Sequence, residues 1–277
     1  MTLKTRNKIL FFLMIVGIAI VALDFAFSLI AFLRGTFYLP KENEVVRFLS
    51  IFPDSFLFKY NPWASLAGIA FFGIAAPLLC IACFYGFKKT PSLEIVFFGL
   101  FIVSCMLEQV RILIPLVWKN NTFSGILYVE AKILMTARIL GPLSLFFSFS
   151  FNKADQRQNM ERNALILITV SILGGVLFPL DSNKITSTFT VLWSCRTLFG
   201  FFRLALFLAT ISLISVEILI KKNSDLKMVL FGFIIMYAGY HSLQNTDCWS
   251  KFALSVVLLT YGSYKYLTSV HELNVWQ

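Results

Sequence analysis

The chain has 277 residues, 58% hydrophobic and only 14% charged, with a mean hydropathy of +0.80 and 31 phenylalanines. A soluble domain carries about 25% charged residues, so a soluble globule, a disordered chain and a fibrous repeat are excluded. Five cysteines are too few for a disulfide scaffold. The net charge of +10 does not describe a nucleic-acid surface, because Lys and Arg stand in short groups between long apolar runs, the pattern of charges that orient membrane spans.

A spanning helix needs about 20 mostly apolar residues, and eight stretches qualify. They are Ile9–Leu33, Ala64–Phe87, Ser92–Trp118, Ile126–Phe151, Ala164–Leu180, Phe189–Ile220, Met228–Leu243 and Phe252–Val270. The first is too long for the apolar region of a signal peptide and is followed by Arg34-Gly35-Thr36-Phe37, without a small-x-small cleavage pattern, so it reads as a retained span. Seven spans are the alternative, with the Ala164 stretch re-entrant or the last two merged. Between the first two stretches, the loop Arg34–Trp63 is the only extramembrane segment with room for structure. Within it, Val45 to Phe52 is either a short interfacial helix ended by Pro53 or an ordered connector. No internal repeat or linker divides the chain, so residues 1–277 are read as one transmembrane domain.

Alternate loops differ in charge. With the N-terminus inside, the inner side holds twelve basic residues: Lys4, Arg6, Lys8, Lys88, Lys89, Lys153, Arg157, Arg162, Lys221, Lys222, Lys227 and Lys265. The outer side holds seven, Arg34, Lys41, Arg47, Lys59, Lys119, Lys184 and Lys251, four of them in the one long loop. This bias predicts cytoplasmic N- and C-termini in a cytoplasmic (plasma or inner) membrane.

Eight ionisable residues fall within the spans: Asp24, Glu108, Arg111, Glu130, Lys132, Arg138, Arg196 and Arg203. Each costs about 2.5–3.5 kcal/mol on insertion scales, so such groups pair or line a polar cavity. Nearly all are expected in the outer half, joined by Tyr237, Tyr240 and His241. Glu108 and Arg111, three apart, share a helix face, whereas Glu130 and Arg138, eight apart, are only loosely on one side. Arg196, Arg203, Thr210 and Glu217 recur every seven residues as a polar stripe. Five bases against three acids leave two positive charges after one-to-one pairing, to be met by an anion, lipid phosphates, water or carbonyls.

Catalytic and metal signatures are scarce. Cys80 and Cys83 form a C-x-x-C inside an apolar run, where cysteine acts as a small hydrophobe. No set of zinc-ligand spacing, Walker loop, nucleophile elbow or H-E-x-x-H is present, and Gly174-Gly175 reads as a close helix contact. Trp193-Ser194-Cys195-Arg196-Thr197, with His241 and His271 farther on, resembles the Cys/Arg/His arrangement of exosortase-type transpeptidases over those five residues. That family's arginine on the following span has no counterpart around Met236–His241, and His271 is expected at the opposite end from Cys195. The resemblance therefore assigns no nucleophile.

The resulting expectation is an all-α polytopic membrane protein, a bundle of about eight transmembrane helices. It binds an anionic small molecule or lipid headgroup in an outward-facing polar cavity. The candidate ligand-binding residues are Glu108, Arg111, Glu130, Arg138, Arg196, Arg203, Tyr237 and His241. No metal, cofactor or nucleic acid is expected. The partners are the bilayer, the anionic ligand and a membrane or cytoplasmic protein, with the inner loop Asn152–Asn163 as a docking surface for a sensor. A non-enzymatic sensor, accessory subunit or small transporter is the leading reading; a transporter needs a polar path continuing past Arg203 through Thr210 and Glu217. The alternative is a lipid-modifying transferase using Glu108, Glu130 or His241 as base.

Overall fold

The computed structural model describes residues 3–47, 58–88, 94–118, 125–150, 160–221 and 225–275. Among them seven helices are long and apolar enough to cross a membrane. They are α1 (Leu3–Leu33), α2 (Pro62–Gly86), the broken span Glu94–Val117, α5 (Gly125–Ser150), α6 (Met160–Leu177), α7 (Arg196–Lys221) and α8 (Asp225–Gln244). The broken span consists of α3 (Glu94–Leu107), a 3-10 segment (Glu108–Ile112) and α4 (Leu113–Val117).

The eighth expected stretch lies in α9 (Trp249–Val275), a 27-residue helix. It falls short in apolarity because Thr260-Tyr261-Gly262-Ser263-Tyr264-Lys265-Tyr266 interrupts its second half. Seven qualifying helices match the alternative count, with α6 among them and with α8 and α9 as separate helices, not one merged span.

Antiparallel α8 and α9 pack backbone against backbone. A Cβ on Gly232 would lie 2.6 Å from the Tyr266 nitrogen, one on Gly239 2.4 Å from that of Leu259, and one on Gly262 2.3 Å from that of Met236. Small residues allow this approach in membrane helices. The expected Gly174-Gly175 contact is likewise present: a Cβ at Gly175 would meet the Thr136 hydroxyl of α5 at 2.1 Å.

Contacts at the two ends fix the alternation of the helices. At one end Arg6 donates to the Phe87 carbonyl, and Phe87 meets the His271 ring edge-on at 5.2 Å. The start of α1, the end of α2 and the end of α9 therefore lie together. At the other end Tyr38 N–H donates to Pro115 O (2.9 Å) and Asn61 N–H to Asp247 O (3.0 Å). There Asn61 caps α2, accepting from Trp63 N–H at 2.9 Å, with Pro62 as the first helical residue.

This second end carries a small sheet, which departs from a purely helical chain with short loops. Strand β1 (Val45–Val46) runs parallel to β2 (Leu180–Thr186), which pairs antiparallel with β3 (Val191–Trp193). Val45 and Val46 are thus extended and not part of an interfacial helix; Phe48 to Phe52 lie outside the described residues. The sixth stretch also begins later than expected, because Val191-Leu192-Trp193 is a strand and α7 starts at Arg196. Phe189 takes φ 53° in the turn between β2 and β3, and its fully buried ring anchors a cluster with Ile69, Ile112, Trp118 and Leu127. That burial holds a backbone conformation unusual for an aromatic residue. Ser65 of α2 ties the turn down, donating within 2.8 Å of Ser187 O and 3.0 Å of Thr246 O.

Candidate functional site: a polar cavity under the sheet

The site is built outward from Glu108, which is fully buried. The switch from α-helix to 3-10 geometry at Glu108 brings residues i and i+3 into eclipse, and Arg111 Nη1 donates to Glu108 Oε2 at 3.2 Å. From α5, Arg138 donates through Nε to Oε1 (2.9 Å) and through Nη2 to Oε2 (3.4 Å). From the end of α8, Gln244 Nε2 donates to Oε1 at 2.7 Å. A carboxylate offers about four lone-pair sites, so Glu108 is saturated. Gln244 extends the network: its carbonyl accepts from Arg111 (3.1 Å), and its side-chain oxygen accepts from Arg203 of α7 (2.5 Å).

Beside this network lies a cavity of about 420 Å³, between the sheet, the first turns of α7 and the end of α8. Among the described residues, Arg138, Arg196, Arg203 and Lys251 line it, against the single carboxylate of Asp247. Asp247 is itself engaged by Lys251 at 2.7 Å and by Arg47 at 3.6 Å. Arg138 lies over the Trp193 ring (4.9 Å) while its donors face Glu108, and Arg203 lies over the Phe199 ring (5.7 Å). Two donors on the wall have no hydrogen-bond partner, Trp193 Nε1 and Arg203 Nε, although Trp193 and Arg203 are only 7% and 6% exposed. The β2–β3 turn contributes Thr186, Ser187, Thr188 and Thr190 as a hydroxyl-bearing roof.

Of the eight sequence candidates, Arg138, Arg196, Arg203 and His241 line the cavity. Glu108 and Arg111 lie behind it as the network that holds Arg138 and Gln244. Tyr237 donates to the Arg203 carbonyl at 3.2 Å and stacks on Phe207 with centroids 4.7 Å apart. Glu130 is fully buried, both of its oxygens lack a hydrogen-bond partner, and it is not among the cavity residues. One-to-one pairing does not occur: Glu108 takes both Arg111 and Arg138. Lys132 instead donates to the carbonyls of Val176 (2.8 Å) and Phe178 (2.5 Å) at the end of α6, where the helix dipole favours a cation. Asp24 stays on α1, away from the cavity.

Several residues of the site escaped the sequence reading. Gln244 and Asn245 are neutral, and a search for charges passes over them. The threonine roof lay partly inside what read as the sixth span, Lys251 read as an ordinary loop charge, and Asp247 was not singled out. His271 does not join Cys195, because it is packed on Phe87 at the end opposite the sheet.

A wall of guanidinium, ammonium and indole donors, with its one carboxylate already paired, suits an acceptor-rich anion. Known proteins add little to this. No family model matches the chain. An uncharacterised protein of Treponema pallidum (strain Nichols) is 32% identical over 112 residues, covering 40% of this chain. The chain spans about a third of that relative's length. No solved structure matches.

Proposed function

We propose that this is a multi-pass protein of the cytoplasmic membrane that holds an anionic small molecule or lipid headgroup in the cavity under the sheet. The sheet end faces outward, and α9 completes eight crossings with both termini cytoplasmic. The charge bias of the loops and the meeting of Arg6, Phe87 and His271 at one end support this topology. A reporter fused at Asn183 is expected to read external and one at Gln156 cytoplasmic; the reverse would invert the cavity.

The observation that carries the ligand reading is Arg203. It is buried in the cavity wall, its hydrogen bond goes to neutral Gln244, and its Nε is unpartnered. An uncompensated buried charge is costly, and a bound anion removes that cost. The protein then acts as a sensor or accessory subunit, signalling through a membrane or cytoplasmic partner. A transport path is not favoured, because Phe207, Tyr237 and Phe233 stack directly beyond Arg203, and Thr210 is satisfied by the Leu206 carbonyl of its own helix. The transferase alternative retains one of its three bases at the cavity, His241.

Binding of glycerol 3-phosphate to the purified protein, followed calorimetrically, tests the reading. Arg203→Gln is expected to weaken it at least tenfold with the fold intact. Equal binding by both proteins, or by neither, would refute the assignment.

A further inference from the structure

The cavity also opens sideways. Gly200, in the second turn of α7, lines it, is exposed, and would meet nothing within 4 Å if it carried a Cβ. Across the gap, His241 in the last turn of α8 lines the same cavity and is also exposed. Farther along the two helices the gap is shut, where Tyr237 bonds the Arg203 carbonyl and stacks on Phe207. The threonine turn closes it above. What is left is a lateral mouth whose sill is a residue without a side chain.

The surroundings of that mouth are apolar. Leu198, Phe201 and Leu204, on α7 beside Gly200, are 65%, 65% and 51% exposed. On a membrane-spanning helix such a face meets acyl chains. Inside the mouth the chemistry reverses within one helix turn, to Arg196 and Arg203, Trp193 Nε1, and the start of a helix with no acidic residue in its first turn. Arg196 and Arg203, seven residues apart, are separated by about 10 Å along the axis, room for one phosphodiester between them.

We infer that a bilayer lipid with an anionic phosphate headgroup enters the cavity sideways over Gly200. Its phosphate lodges between Arg196 and Arg203, its headgroup hydroxyls meet the roof at Thr188 and Thr190, and its acyl chains remain along α7. This rests on the anion-binding reading above and adds the source of the anion and its route. A headgroup that carries its own ammonium gains less, because the wall already has more cations than carboxylates.

The test uses the purified full chain, wild type, Gly200→Trp and Arg203→Gln, each checked by thermal unfolding. Gly200→Trp occupies open space, so its fold is expected to be intact. Each protein is incubated with vesicles of phosphatidylglycerol or phosphatidylcholine, and retained lipid is counted by native mass spectrometry. Glycerol 3-phosphate, which needs no bilayer, is titrated in parallel. The wild type is expected to retain phosphatidylglycerol at least tenfold over phosphatidylcholine. Gly200→Trp is expected to lose that retention at least tenfold more than it loses glycerol 3-phosphate affinity, while Arg203→Gln loses both alike. Equal retention of the two lipids, or equal effects of Gly200→Trp on the two probes, overturns the lateral route. The anion cavity itself survives that result if glycerol 3-phosphate binding still depends on Arg203. Independence of Arg203 for both probes removes both readings.

Discussion

Glu108 and Arg203 are both buried charges under the same sheet, yet their surroundings are opposite. Glu108 accepts from Arg111, Arg138 and Gln244, drawn from three helices, and has no unused capacity. Arg203 faces a void, leans on Phe199, and spends its described hydrogen bond on an uncharged amide. Satisfied buried charge fixes how helices meet. Buried charge left short of partners at the edge of a cavity marks where something else binds. Among the described hydrogen bonds the two centres share Gln244, and their roles can be separated by substitution.

Glu108→Ala leaves Arg111 and Arg138 buried without their carboxylate, and removing one member of a buried ion pair costs about 3–5 kcal/mol. A large drop in unfolding temperature in detergent is expected; an unchanged temperature would show that the network holds nothing together. Gln244→Leu strips one donor from Glu108 and the acceptor from Arg203, with an expected loss of about 1–3 kcal/mol by the same measurement. Arg203→Gln should behave differently, leaving the unliganded protein equally stable or slightly more so, since it removes a charge that has no carboxylate. A destabilisation as large as that of Glu108→Ala would erase the distinction between the two centres. Trp193→Phe keeps a ring beneath Arg138 but deletes the unpartnered Nε1 donor. Stability should hold while glycerol 3-phosphate affinity falls by about 0.5–1.5 kcal/mol, roughly two- to twelvefold.

What was legible in the sequence followed from its length scales. Apolar runs located the helices because a span cannot be short, and the spacing of Glu108 and Arg111 announced their contact because both sit in one local segment. Arg138 was singled out for its charge, but its partner lies 30 residues away on another helix, a distance that periodicity does not address. The strand Val191–Trp193 merged with α7 because a short apolar run has the same composition in either structure. Its pairing with β2 is a tertiary fact, as is the turn that places Thr186 to Thr190 over the cavity. Glu130 shows the reverse: its charge within a predicted span made it a candidate, while geometry keeps it off the cavity wall.

The glycine contacts between α8 and α9 have a mechanical consequence. Where two backbones touch at Gly232, Gly239 and Gly262, no side chains lie between them to yield, and the pair forms one close-packed plate. His241, Ser242, Asn245 and Lys251 ride on that plate. The facing wall, α7, has no such glycine contact: its two cavity arginines sit on a helix whose other faces are largely exposed, and a Cβ added at Gly200 would meet nothing within 4 Å. Of the two helices that flank the cavity, α8 is the one braced by a glycine seam, and α7, buried over only 17% of its span, is the less braced.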